Sequence, residues 1–210
     1  PDHMPEIEEV APTYDAKGSH HLDRYKIDHA KSLSHNAQYW NKRATDLLTW
    51  EHYPFDQNNC DGIMTGGFEH GDVTWFAGAR MNICYNAVDR HVKDPTKANQ
   101  VAMIWEGDEP GQSIEFTYAD LQREISKIAN AMKSQGVKKG DVVTIYMPMI
   151  PQLPMTMLAA ARIGAIHSVV FAGFSSEALS SRIAASNSNV VITADVGVRG
   201  TKEIKLKKIV

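Results

Sequence analysis

Three short apolar runs constrain this chain more than anything else in it. Val142-Val143-Thr144-Ile145-Tyr146-Met147, Ile166-His167-Ser168-Val169-Val170-Phe171 and Val190-Val191-Ile192-Thr193 are rich in β-branched residues, and each suits a strand. The first is apolar along nearly its whole length rather than alternating, as a strand buried on both faces must be. Between the runs the period changes. Met155, Leu158, Ala159 and Arg162 fall on one small-residue helix ending at Gly164, and Leu179 and Ile183 on another that Ser175-Ser176 cap. Strand, helix, strand, helix, strand implies parallel strands with right-handed crossovers and helices on the faces. The expected class is α/β, an N-terminal helical arm followed by part of a mostly parallel, doubly wound sheet.

Upstream, Val101 to Trp105 and Glu115 to Tyr118 read as strands. Thr117 and Asp120 have capping-box spacing ahead of a helix that buries Leu121, Ile125, Ile128, Ala129 and Met132, with Gly136 just past its end. Gly140-Asp141 turns the chain into the first strand, and Pro148, Pro151 and Pro154 interrupt the segment after that strand. Nearer the N-terminus, Ala37, Trp40, Ala44, Leu47 and Leu48 recur at helical spacing until Pro54 stops the helix. A second amphipathic helix is expected after Trp75, with Met81, Cys84, Tyr85, Val88 and Val92 on one stripe. Residues 1–33 show no sustained period and read as a partly disordered arm. The expected organisation is an arm over 1–33, a helical region over 34–98 and an incomplete α/β subdomain over 99–210.

Composition narrows the function classes. A formal charge of −3 argues against a nucleic-acid partner, and two cysteines are too few for a disulfide framework. No run reaches the ~18 apolar residues of a membrane helix. A reducing, cytoplasmic setting is expected. No Walker loop, dinucleotide fingerprint, zinc-ligand spacing or nucleophile elbow occurs, so no metal site is expected.

Several residue groups invite a sharper reading than they support. His20-His21 reads as solvated, and Gly66-Gly67 as a turn because no strand–loop–helix setting surrounds it. Cys84 reads as a small buried apolar residue, and Asp89-Arg90-His91 as a helix-end ion pair and cap. The basic tail of Arg199, Lys202, Lys205, Lys207 and Lys208 also reads first as a solvated face, with one feature that lifts it. It comes after the loop leaving the third strand, where open α/β sheets collect ligands, and a cationic cluster there suits a phosphorylated ligand. The residues alone do not reach a reaction.

Longer stretches carry a resemblance. The segment from Trp75 to His91 (WFAGARMNICYNAVDRH), that from Ile166 to Leu179 (IHSVVFAGFSSEAL) and that from Ile192 to Gly200 (ITADVGVRG) resemble, in this order, signatures of the AMP-forming acetyl-coenzyme A synthetases of the adenylate-forming superfamily. With the segments around Trp40 and Phe116-Thr117-Tyr118, the similarity runs from about residue 22 to the end, and its style resembles fungal members. It implies a two-step reaction on acetate, ATP with magnesium, and coenzyme A. Acetate attacks the α-phosphate to give acetyl-adenylate and pyrophosphate. The coenzyme A thiol then releases AMP and forms acetyl-CoA.

Only the coenzyme A side carries over by residue. The family's Arg-x-x-Arg/Lys segment matches Arg199-Gly200-Thr201-Lys202, and its Phe-Gly-Gly segment matches Phe171-Ala172-Gly173. The resemblance implies that Arg199 offers forked hydrogen bonds and Lys202 a point charge to phosphate oxygens. Phe171 would pack on adenine or the pantetheine arm, and Gly173 would permit close backbone approach. Ala172 departs from the family's Gly, and Lys202 from the Arg of bacterial relatives. The phosphate-binding loop, the acetate-pocket tryptophan region, the ribose-binding aspartate and the adenylation lysine have no match. The expectation is therefore an N-terminal fragment with no catalytic residue of its own, inactive alone, acting with the remainder of its parent enzyme. A homo-oligomer and a nuclear as well as cytoplasmic location stay open. So do a propionyl or other short-chain acyl-CoA synthetase and a non-catalytic coenzyme A-binding module.

Overall fold

The computed structural model describes residues 18–56, 60–200 and 202–210, with backbone only at 18–21 and 199. The chain divides into two compact units, one reaching to Leu48 and resuming over His52–Ala79, the other comprising Thr49–Glu51 and Arg80–Val210.

In the first unit, α1 (Gly18–Ser34) and α2 (Asn36–Leu47) precede a short antiparallel pair, β1 (Met64–Thr65) and β2 (Thr74–Trp75). Helix α1 occupies residues expected to form an arm. Its apolar residues Leu22, Tyr25, Ile27 and Leu33 are all more than half exposed, so no clean stripe announces it. A Tyr25–His29 ring stack one turn apart and an Asp28–Arg43 ion pair of 3.1 Å support it instead. The side chains of His20 and His21 lie outside the described residues. The expected stripe of α2 is only partly realised. Ala44 is buried, with Asn41 rather than Trp40 beside it, and Trp40 packs edge-on against Tyr39 and Trp75. The helix ends at Leu47, well before Pro54. Asn41 explains the early end: its amide donates to the Asp56 carbonyl (2.7 Å) and accepts from the Tyr53 hydroxyl (2.6 Å), gathering the next segment back onto α2. Gly66-Gly67 forms a turn, in which the Gly67 N–H donates to the Asp72 carboxylate at 2.8 Å.

The second unit opens with a π-helical turn (Tyr85–Asp89) that runs into α3 (Arg90–Val92). The expected amphipathic helix is present, but the wide turn brings Asn86 and Asp89 inward beside Cys84 and Val88. Strands β3 (Val101–Glu106) and β4 (Ser113–Thr117) form an antiparallel hairpin. Thr117 and Asp120 then make a capping box at the start of α4 (Tyr118–Ser134), whose buried face is Leu121, Ile125, Ala129 and Met132.

Next comes a parallel sheet, built from β5 (Val142–Met147), β6 (Ile166–Phe171) and β7 (Val190–Thr193) in the order β6-β5-β7. Helix α5 (Gln152–Arg162) links β5 to β6, and α6 (Ser176–Ser186) links β6 to β7. Pro154 lies inside the first turn of α5, where a helix has no N–H partner to lose. In central β5, Val143 to Tyr146 are consecutively buried. Val143 packs with Ile125, Ala129, Met132, Met155 and Ala159 on one face, and Tyr146 with Val170, Leu179 and Leu206 on the other. Helices thus cover both faces, as expected of a doubly wound layer. The chain continues through a hairpin, β8 (Gly197–Arg199) and β9 (Lys202–Ile204), to a 3₁₀ turn at Leu206–Lys208.

Candidate functional site

Strands β5, β6 and β7 end together at Met147, Phe171 and Thr193. In such sheets ligands collect outside these carboxyl ends, where the strand order reverses. Here the chain moves outward from β5 to β6 and then crosses back to β7, which sets the reversal between β5 and β7. The segments leaving the strands form the rim of the candidate site.

After β6 comes a tight turn in which the Phe174 N–H donates to the Phe171 carbonyl at 3.0 Å. The two rings meet edge to face at 5.8 Å, and both remain exposed, Phe171 by 54%. The Arg182 guanidinium lies 4.4 Å over the Phe174 ring. Ala172 and Gly173 form the corner. A Cβ on Gly173 would come within 2.5 Å of the Phe171 ring, so a glycine lets that ring fold over the turn. The close approach at Gly173 is made by Phe171 itself, leaving the outer ring face open.

After β7 the chain enters the β8–β9 hairpin, whose register sets Arg199 opposite Lys202 across Gly200-Thr201. Thr201 and the Arg199 side chain lie outside the described residues. Gly200 adopts φ +57°, the left-handed value that two-residue hairpin turns require at their first position. Its N–H donates to the Asp108 carboxylate at 3.2 Å. At the base of the hairpin Gly197 packs against Pro148, directly after β5. Lys202, Lys205, Lys207 and Lys208 are exposed.

Tyr146 connects these parts, and the sequence motifs assigned it no role. It is fully buried, and its hydroxyl reaches the carbonyls of Phe174 (2.8 Å) and Ala172 (3.2 Å). On its other side, the Thr193 hydroxyl donates to the Tyr146 carbonyl at 2.8 Å. Burial pushes the phenol pKa up, which keeps the hydroxyl a donor. One signal was available: a tyrosine in an aliphatic strand buried on both faces needs a partner for its O–H. Asp108 and Trp105, whose indole N–H donates to the Met149 carbonyl at 2.8 Å, carried no such signal.

Comparison with known proteins identifies the setting. A family model described as AMP-binding enzyme matches residues 89–210, more than half the chain. The chain belongs to the AMP-binding enzyme family. A second model, the acetyl-coenzyme A synthetase N-terminus, matches residues 25–87. The chain is 50% identical over 188 residues to a protein named acetyl-coenzyme A synthetase from Alcanivorax borkumensis, covering 89% of this chain and 28% of that protein. It is 48% identical over 191 residues to one so named from Coprinopsis cinerea, covering 90% and 28%. A third, from Emericella nidulans, is 46% identical over 190 residues, covering 90% and 27%. The chain therefore spans under a third of the length of these curated relatives, and bacterial and fungal ones stand at similar identity.

Within this AMP-binding family member, Asp89 serves a structural centre rather than a helix cap. Its carboxylate accepts from the two terminal guanidinium nitrogens of Arg162, at 2.7 and 2.8 Å, and from the Gln122 amide at 2.6 Å. Burial alone would raise the Asp89 pKa, but hydrogen bonds from Arg162 and Gln122 outweigh it and hold the carboxyl below its ordinary value. Cys84 is fully buried beside Arg162, and burial pushes its thiol pKa up, away from thiolate reactivity. Among the described residues no group of three or more His, Cys, Asp or Glu could hold a metal ion. No helix among them is long and apolar enough to cross a membrane.

Proposed function

We propose that the protein carrying this chain is an AMP-forming acetate–CoA ligase, and that this chain supplies the coenzyme A side of its site. The carrying observation is 41–50% identity, over about nine-tenths of the chain, to proteins named acetyl-coenzyme A synthetase. The geometry supports the coenzyme A assignment. Two cationic residues stand opposite each other in the β8–β9 register, a pairing that costs stability unless an anion bridges it. Arg199 and Lys202 are the phosphate contacts, with Gly200-Thr201 as the tip between them. The Phe171-Ala172-Gly173 corner presents an apolar ring at the same end of the sheet. ATP, its magnesium and acetate fall to residues outside this sequence. The two free cysteines suit a reducing, cytoplasmic compartment.

Acetate-dependent ATP–pyrophosphate exchange tests this reading. A full-length protein carrying the chain should exchange, and the 210-residue chain alone should not. Coenzyme A should bind in a salt-sensitive way, and Arg199→Ala should weaken it about tenfold, as loss of a charge-assisted contact does. Exchange by the isolated chain, or a full-length protein indifferent to acetate, overturns the proposal.

A further inference from the structure

Tyr146 makes hydrogen bonds that reach the β6 exit turn and the end of β7 at once. A hydroxyl has one proton, so the shorter contact, to Phe174, carries the bond and Ala172 shares it. With the turn's own Phe174–Phe171 bond, this fixes the backbone on both sides of Gly173. The Phe171 ring is exposed, yet its backbone and edge are held by the turn, by Phe174 and by the space above Gly173. An exposed aromatic ring on so constrained a backbone is a pre-organised platform. A ligand that stacks on it avoids the ordering cost a mobile loop would impose.

We propose that Tyr146 is a positioning residue for coenzyme A, acting through the Phe171–Phe174 turn that presents Phe171 to the nucleotide end of the ligand. This rests on the coenzyme A reading above. Tyr146 does not touch the ligand; its hydroxyl sets the height and tilt of the ring that does.

The test uses a full-length protein carrying the chain and the variants Tyr146→Phe and Phe171→Ala. Tyr146→Phe keeps the buried ring and removes only the bond, so packing is retained. The expected result is a coenzyme A KM raised about fivefold, the effect of one neutral hydrogen bond. Acetate-dependent pyrophosphate exchange, which needs no coenzyme A, should stay within about twofold. Amide hydrogen exchange should quicken at 172–175 and not elsewhere in the sheet. A parallel fall in exchange and coenzyme A use means that Tyr146 only supports the fold, and overturns the proposal. A raised KM in Phe171→Ala with none in Tyr146→Phe keeps the platform and overturns the positioning role. No change in either variant removes the coenzyme A reading of this turn, and the proposal with it.

Discussion

Two buried polar centres in the second unit do opposite work. Asp89, Arg162 and Gln122 form a charged centre joining the π-helical turn, α5 and α4. Tyr146 forms a neutral centre between the ends of β6 and β7. The charged pair is only partly withdrawn from water, with side chains 11% and 28% exposed, and its strong donors are engaged within the protein. The neutral centre directs its hydroxyl to a turn whose aromatic rings stay exposed. Burial of charge locks helices together here, while burial of a neutral hydroxyl shapes a surface.

The largest expected effect falls on the charged centre. Asp89→Ala leaves the Arg162 guanidinium without its partner and should cost about 3 kcal/mol, measured by urea unfolding of the chain. Adding Arg162→Met should recover part of that loss, because two apolar groups replace an orphaned charge. A cost below about 1 kcal/mol would place the pair among surface ion pairs and erase the contrast.

Tyr146→Phe should lower stability by about 1 kcal/mol, well under the cost at Asp89. Equal losses at both sites would mean that the tyrosine is a fold anchor of the same kind. A smaller charged group sharpens the point from outside the core. The Thr117 hydroxyl and N–H, with Arg123, hold the Asp120 carboxyl down to about 2, from an ordinary 3.8. Because the folded value is the lower one, the cap's contribution is present above about 4 and is lost as pH falls toward 2. Asp120→Asn should remove that acid dependence from the start of α4, read by amide exchange. The smallest effect belongs to Thr144, two residues from Tyr146 in the same strand. Its buried hydroxyl has no hydrogen-bond partner among the described residues, so Thr144→Val should be neutral or slightly stabilising. A clear loss there would mean that hydroxyls in β5 matter in general, and Tyr146 would no longer stand apart.

Much of the fold was legible residue by residue. The β-branched runs became β5, β6 and β7, and Thr117 with Asp120 capped α4 as their spacing required. These signals are local: strand propensity, helical period and capping act within a few residues. The extent of α1 was not legible because its apolar residues are scattered and exposed, nor was the end of α2, because Asn41 binds a segment twelve to fifteen residues away. In the candidate site, Phe171, Ala172 and Gly173 were found through resemblance and do share one turn. Their support by Tyr146 spans 26 to 28 positions and left no motif.

By itself the sequence determined the alternation of elements, the burial of β5 on both faces and the cationic run after β7. Each depends on chemistry repeated at short spacing, which a linear reading can detect. Only the tertiary structure decided that Asp89 meets Arg162 across 73 positions, that Asp108 reaches the hairpin tip, and that Tyr146 carries the β6 exit turn. A side chain's hydrogen-bond partner is chosen by which backbone groups the packed sheet and helices bring within about 3 Å of it, and that proximity is a property of the assembled layers.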